Sequence, residues 1–306
     1  MTTISTSTGA FFDKSRTDMK SLRGQAETLQ TQLSTTQKLS RSSDNPVAAS
    51  RLRALSRQET LSQIDTANAN RANADLTLAD GAMSDIADTI IRAQELATQA
   101  ASSTLTAEQR GAVATELDQV HAALFGLANT RDSNGHALFG GESTGDAYKL
   151  DAAGNAAYVG SASSEDLPLG EGQSVTRSMT GPQFLTFTDR NGIQSDVMAT
   201  VKALSDALKA GTTPTVGAND ALASLQTGLD TLSTGQTVVG TRLAWIELTG
   251  ERRIDRGELR SAEQTDLGAT DIASTMARLQ ETLTVLEASQ AGFAKLSSLS
   301  LFNQLR

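Results

Sequence analysis

The four prolines of this 306-residue chain stand at 46, 168, 182 and 214, so nothing in residues 47–167 or after 214 breaks a helix by its ring. Along the chain the apolar residues recur in alternating steps of three and four, which places them on one helix face. Phe12, Ser15, Met19, Leu22, Ala26, Leu29, Leu33 and Thr36 form such a row, and it is expected to end near Ser40. Ser42-Ser43-Asp44-Asn45-Pro46 then offers capping oxygens and a proline suited to a first helical turn. Ala72, Leu76, Ala79, Met83, Ile86, Ile90, Ala93, Ala97 and Ala100 repeat the pattern. Thr106 to Gln109 fits a capping box, and the helix behind it carries Val113, Leu117, Val120, Leu124 and Leu127. It should close at the turn residues Asn129 to Gly135.

Between about 140 and 194 the period changes. Tyr148–Leu150 and Ala156–Gly160 read as strands around an Asp151–Asn155 loop, with Val175-Thr176 and Phe184–Phe187 as further strand candidates and Asp189–Gly192 as a turn. Helical spacing resumes at Val197, Val201, Leu204 and Leu208 and stops at Gly211. Leu222, Leu225, Leu229, Leu232, Gln236, Val239, Leu243 and Ile246 mark a long helix that runs on through Glu251–Gln264. Leu267-Gly268-Ala269 reads as a joint, after which Thr270 or Asp271 caps a last helix bearing Ile272, Met276, Leu279, Leu283, Leu286, Gln290 and Phe293.

The expected fold is mainly α: an elongated rod of long antiparallel helices, with a terminal coiled coil and a small β-rich insertion. Helices of 30–40 residues would span roughly 45–60 Å. Residues 1–43 with 270–306 are expected to form the coiled-coil domain, 44–141 with 195–269 the helical rod, and 142–194 the outer β-rich domain. The two terminal stripes are too narrow to hold a helix alone, so they must pair with each other or with other molecules.

Composition narrows the function. Aromatic residues make up only 4% of the chain, which suits thin helix–helix seams better than one broad core. With 35 acidic against 26 basic residues the net charge is −9, a field that repels nucleic acid and anionic membranes. No apolar run reaches the ~18 residues of a membrane span, and the polar Met1–Gly9 lacks a secretory signal's basic start. There is no cysteine, hence no thiolate nucleophile and no Cys-ligated metal.

Nothing reads as an enzyme. The P-loop, the zincin helix and the nucleophile elbow are all missing. His121 reads as a polar helix-flank residue and His136 as a loop residue, without acidic partners for a metal. No cofactor and no metal site is expected. Gly140-Gly141 reads as a turn rather than a phosphate loop. Arg252, Arg253, Arg256 and Arg260 alternate with Glu251, Asp255, Glu258 and Glu263, which reads as a salt-bridge-laced helix face rather than a nucleic-acid patch.

Three sets of strings resemble the flagellin superfamily. Ser43-Asp44-Asn45-Pro46-Val47-Ala48-Ala49-Ser50 is similar to its S-D-D-P-v-a-a string, with Asn45 where Asp is usual. Ile91–Ala100, Ala128-Asn129-Thr130 and Gly135–Gly141 resemble its r-E-L-a-x-Q-a helix followed by N-t and G-x-y-x-F-x-G. Val239–Leu243, Thr270–Ala273, Leu286–Leu296 and Leu299–Phe302 resemble its C-terminal signature. The resemblance covers both ends and leaves the middle uncovered. The Ser43–Pro46 and Phe139–Gly141 strings point to the branch of hook–filament junction proteins; a filament flagellin is the alternative, and a helical surface adhesin a more distant one.

The resemblance implies a structural subunit of the bacterial flagellum. Such subunits are exported by the flagellar type III route on a disordered N-terminal stretch, for which Met1–Gly9 would serve. Implied partners are other hook-associated proteins, flagellin, like subunits in a ring, and an export chaperone that grips the C-terminal helices. The C-terminal row Ile272, Met276, Leu279, Leu283, Leu286 and Phe293 is then the expected subunit-interface and chaperone-binding surface. The N-terminal row Phe12, Met19, Leu22, Ala26, Leu29 and Leu33 is the expected second subunit interface. Neither nucleic acid nor membrane insertion is expected.

Overall fold

The computed structural model describes residues 3–190, 192–211 and 214–304. They form helices α1 (Thr3–Thr35), α2 (Pro46–Ala100), α3 (Ala107–Ala128), α4 (Pro182–Leu185), α5 (Val197–Ala210), α6 (Pro214–Gly268) and α7 (Ile272–Gln304). Six short strands, β1 (Tyr148–Leu150), β2 (Ala156–Tyr158), β3 (Asp166–Gly170), β4 (Gln173–Thr176), β5 (Thr186–Thr188) and β6 (Gln194–Asp196), pair antiparallel as three separate hairpins. The fold is mainly α. It divides into two compact units, residues 1–60 with 255–306 and residues 61–254.

In the second unit the expected rows are the core. On α2 every member of the row from Ala72 to Ala100 is buried, and Ala69 extends it. On α6 Ala218, Leu225, Leu232, Val239 and Ile246 are buried at strict seven-residue intervals. The repeat of seven keeps each row on one face, so neighbouring helices share a continuous seam. The α2 row is large at Leu76, Met83, Ile86 and Ile90 and small at its other positions, and each large side chain removed from water contributes about 1.5–3 kcal/mol. Gly228 and Gly235 of α6 also lie one heptad apart. A Cβ at Gly228 would lie 2.7 Å from Val197, and one at Gly235 2.8 Å from Met83, so these glycines set how closely the elements approach.

Local chemistry sets the ends. Thr106 and Gln109 form the reciprocal capping box of α3. Asp196 Oδ1 accepts from the Met198 and Ala199 amides to start α5, and Gly211, at φ 69°, stops it. Burial pushes the Asp196 carboxyl up to about 6, against those two amides.

The hairpins share the helices' core. Tyr148, Leu167, Leu169, Val175 and Phe187 belong to one buried cluster with α2, α3, α5 and α6, and the rings of Phe139 and Phe184 meet edge-on at 4.8 Å. Asn129, the C-cap of α3, holds β1: its Oδ1 accepts from the Ala147 and Tyr148 amides and its Nδ2 donates to the Phe125 and Tyr148 carbonyls. Gly141 takes φ 66°, and a Cβ there would lie 2.3 Å from Ser161 Oγ, so the Gly140-Gly141 pair is a turn pressed against residues 161–163. Arg177 crosses the unit to pair with Asp75 of α2 and Asp132 in the turn after α3. Burial alone would raise the Asp132 carboxyl. The His136 and Asn134 amides, with Arg177, outweigh it and hold the carboxyl below the ordinary range.

Several expectations change. The first helix ends at Thr35, not Ser40, because Thr36 turns to φ 55°. Phe184 and Leu185 lie in α4, started by Pro182, and the strand begins only at Thr186. β3 carries Pro168, which a two-stranded hairpin tolerates at its free edge. His121 is buried, not on the helix flank, because α5 packs against α3. Two of the late charges pair between helices, Glu263 with Arg51 and Arg260 with Glu59. Backbone is helical from Thr3 across the stretch expected to be disordered, while Met1 and Thr2 lie outside the described residues.

Replacing Arg177 by Met leaves Asp75 and Asp132 buried without their cation. The expected loss is about 3–5 kcal/mol, read by urea denaturation of the purified chain. An unchanged midpoint would show that the two carboxylates do not depend on this arginine.

Candidate assembly surface

The first unit is built around α1 and α7. Asp271 Oδ1 accepts from the Ala273 and Ser274 amides and caps α7; the Ser274 amide, ahead of its hydroxyl, holds the carboxyl below its ordinary range. α6 ends at Gly268, so the expected joint at Leu267–Ala269 is where the chain turns. There the Lys38 amide donates to the Gly268 carbonyl at 2.8 Å, and the Thr270 amide to the Thr36 carbonyl at 3.0 Å. This short antiparallel bridge fixes the register of α7 against α1. At the far end Phe12 meets Phe293 edge-on, ring centroids 5.3 Å apart. The two helices therefore run antiparallel over their length.

The N-terminal row lies inside this seam. Ala26 is buried, and Phe12, Met19, Leu22, Leu29 and Leu33 are half-buried. The C-terminal row is split. Leu279, Leu286 and Phe293 are half-buried in the seam. Ile272, Met276 and Leu283 are 55%, 53% and 48% exposed. The face that α7 turns inward instead carries Thr275, Thr282 and Ser289 between those apolar residues, at steps of four and three. Both registers contain Leu279, Leu286 and Phe293. Small hydroxyl residues let the helices approach, whereas Met276 and Leu283 would hold them apart. Sequence hydrophobicity therefore found three residues of the seam, Leu279, Leu286 and Phe293, and three of its shoulder, Ile272, Met276 and Leu283. Val285 and Leu296, which the row missed, are also exposed, on the opposite shoulder. The side chains of Leu299 to Phe302 lie outside the described residues.

Beside the seam runs a groove of about 370 Å³, floored by Met19, Leu286 and Phe293 and rimmed by Arg16, Lys20 and Arg23. Among the described residues none of these three cations has an ion-pair partner. The surface thus presents apolar residues and a basic rim, which suits packing against other helices. Among the described residues no group of His, Cys, Asp or Glu could hold a metal, and no helix is long and apolar enough to cross a membrane.

Residues 7–144 match the family model for the bacterial flagellin N-terminal helical region. Over this stretch the chain is similar to the bacterial flagellins. Two curated relatives, the flagellar hook-associated protein 3 of Escherichia coli (strain K12) and that of Salmonella typhimurium, are each 26% identical over 287 residues, covering 89% of this chain and 90% of the relative. Among solved structures, the flagellar hook-associated protein-3 of Legionella pneumophila is 16% identical with a TM-score of 0.64, covering 71% of this chain and 98% of the other. That likeness is one of fold.

The two terminal helices cover each other along one face. Phe293→Ala removes an edge-on ring pair worth about 0.5–1.5 kcal/mol beyond its burial and should speed proteolysis of both α1 and α7. Met276→Ala, on the open shoulder, should leave the cleavage rate within about twofold, since surface changes stay within ±0.5 kcal/mol. Equal acceleration by both would contradict the register described.

Proposed function

We infer that the chain is a structural subunit of the bacterial flagellum that joins hook to filament. The observation that carries this is the half-covered α1–α7 pair: a seam closed within the chain beside an open apolar shoulder at Ile272, Met276 and Leu283. The hook-associated relatives, matched over nearly their whole length, support the same station.

The mechanism is assembly-coupled ordering. A thin seam with hydroxyl residues at half of its α7 positions gives each helix little to hold it, and neighbouring subunits laid over the shoulder add the missing burial. Residues 1–43 with 270–306 are the ordering part, 44–141 with 195–269 the rod, and 142–194 the outward-facing part. Before export the same apolar positions, Ile272, Met276, Leu279, Leu283, Leu286 and Phe293, are held by a chaperone; export follows the flagellar type III route. In the assembled organelle the subunits form a ring between other hook-associated proteins and flagellin, outside the cell. The role is mechanical rather than catalytic.

A filament flagellin is the second reading, favoured by the family model's description. Immunogold labelling separates the two. A narrow zone where hook meets filament is the expected result, and label along the whole filament would assign the chain to the filament. Limited proteolysis of the purified chain should trim both ends and leave a core near residues 44–265; resistant ends would argue against assembly-coupled ordering. Leu283→Asp should leave the urea midpoint of the monomer unchanged and abolish incorporation and motility. Normal motility in that variant would remove the shoulder from the mechanism.

A further inference from the structure

His121 is 7% exposed on α3, where that helix packs against α5, and its Nε2 is buried without a hydrogen-bond partner. Around it lie Leu117, Val120 and Leu124 of the same helix, all buried. A neutral imidazole fits such a place; an imidazolium requires an acceptor at both nitrogens and a counter-charge.

The neighbouring charges are already matched. On α3, Asp118 accepts from Ser205 Oγ at 2.6 Å and from Lys209 Nζ at 2.5 Å. On α5, Asp206 takes both of its bonds from Lys202 Nζ, at 2.6 and 2.5 Å. Two carboxylates thus face two lysines, and a proton on His121 adds a cation with no partner left for it. We propose that the α3–α5 seam is an acid-sensitive clasp, closed while His121 is neutral and loosened when it takes a proton.

The direction follows from linkage. Burial, with Lys202 adding to it, holds the His121 ring below its ordinary value, against the pull of Asp118 and Asp206. The stabilisation is therefore complete above the free imidazole's pKa of about 6.5 and is lost as the pH falls below it. At pH 5.5 the equilibrium for opening the seam rises by up to about tenfold. Asp196, at the start of α5, works in the opposite sense: its raised carboxyl is relieved by protonation, so acid favours closure there. Because α5 follows β6 directly, opening the clasp also frees the β5–β6 hairpin.

The test is hydrogen–deuterium exchange on the full chain at pH 7.5 and 5.5, corrected for intrinsic exchange. Protection across residues 197–210 should fall about two- to threefold at pH 5.5, since Asp196 offsets roughly fourfold of the His121 effect, while residues 72–100 hold theirs. His121→Leu should abolish the fall, and Asp196→Asn should enlarge it. Unchanged protection in the natural chain, or an equal fall in His121→Leu, would overturn the proposal. Should His121→Leu fail to fold, an NMR titration of the ring in His136→Gln, which leaves only His121, decides. A pKa below that of free imidazole is expected, and one at or above it refutes the clasp.

Discussion

The seven-residue repeat on α2 is the constraint to which the second unit answers. With so few aromatic rings, no broad core is available, and stability has to come from long, thin contacts between helices. Ala93, Ala97 and Ala100 bring backbones close at one end of the row, and Met83, Ile86 and Ile90 fill its middle. Such a seam tolerates little rotation: a helix turned by one residue would expose the row. The glycines at 228 and 235 extend the same logic to a second face of α6, where Val197 and Phe184 press in.

The hairpins have no core of their own and are held by polar ties. Asn129 spends all of its bonding capacity on joining α3 to β1. Arg177 joins a hairpin end to α2 and to the turn after α3. A buried arginine between two carboxylates adds less to net stability than to register, because any slip strands a charge. The region that varies most in period along the chain is thereby locked to the part that varies least.

Most of the helical frame was legible in the sequence. The row from Ala72 to Ala100, the capping box at Thr106, the stop at Gly211 and the joint at Gly268 each have a local physical cause, so spacing alone finds them. What escaped is tertiary. Phe184 and Leu185 look like strand residues until Pro182 starts a turn of helix. His121 looks polar until α5 covers it. On α7, hydrophobicity favours Met276 and Leu283, yet closeness of approach favours Thr275 and Thr282, and only the partner helix decides between them. The flagellin-like strings were readable in the same way: Asn129 and Gly141 sit where their chemistry is required. The functional assignment of the two terminal rows depends on neighbours that a single chain does not contain.

The antiparallel pairing of α1 with α7 brings the neighbourhoods of Phe12 and Phe293 together. A probe attached near either residue therefore reports from one place. Dyes at the two positions would sit well inside energy-transfer range in the closed pair, and their separation would read out the state of the seam directly.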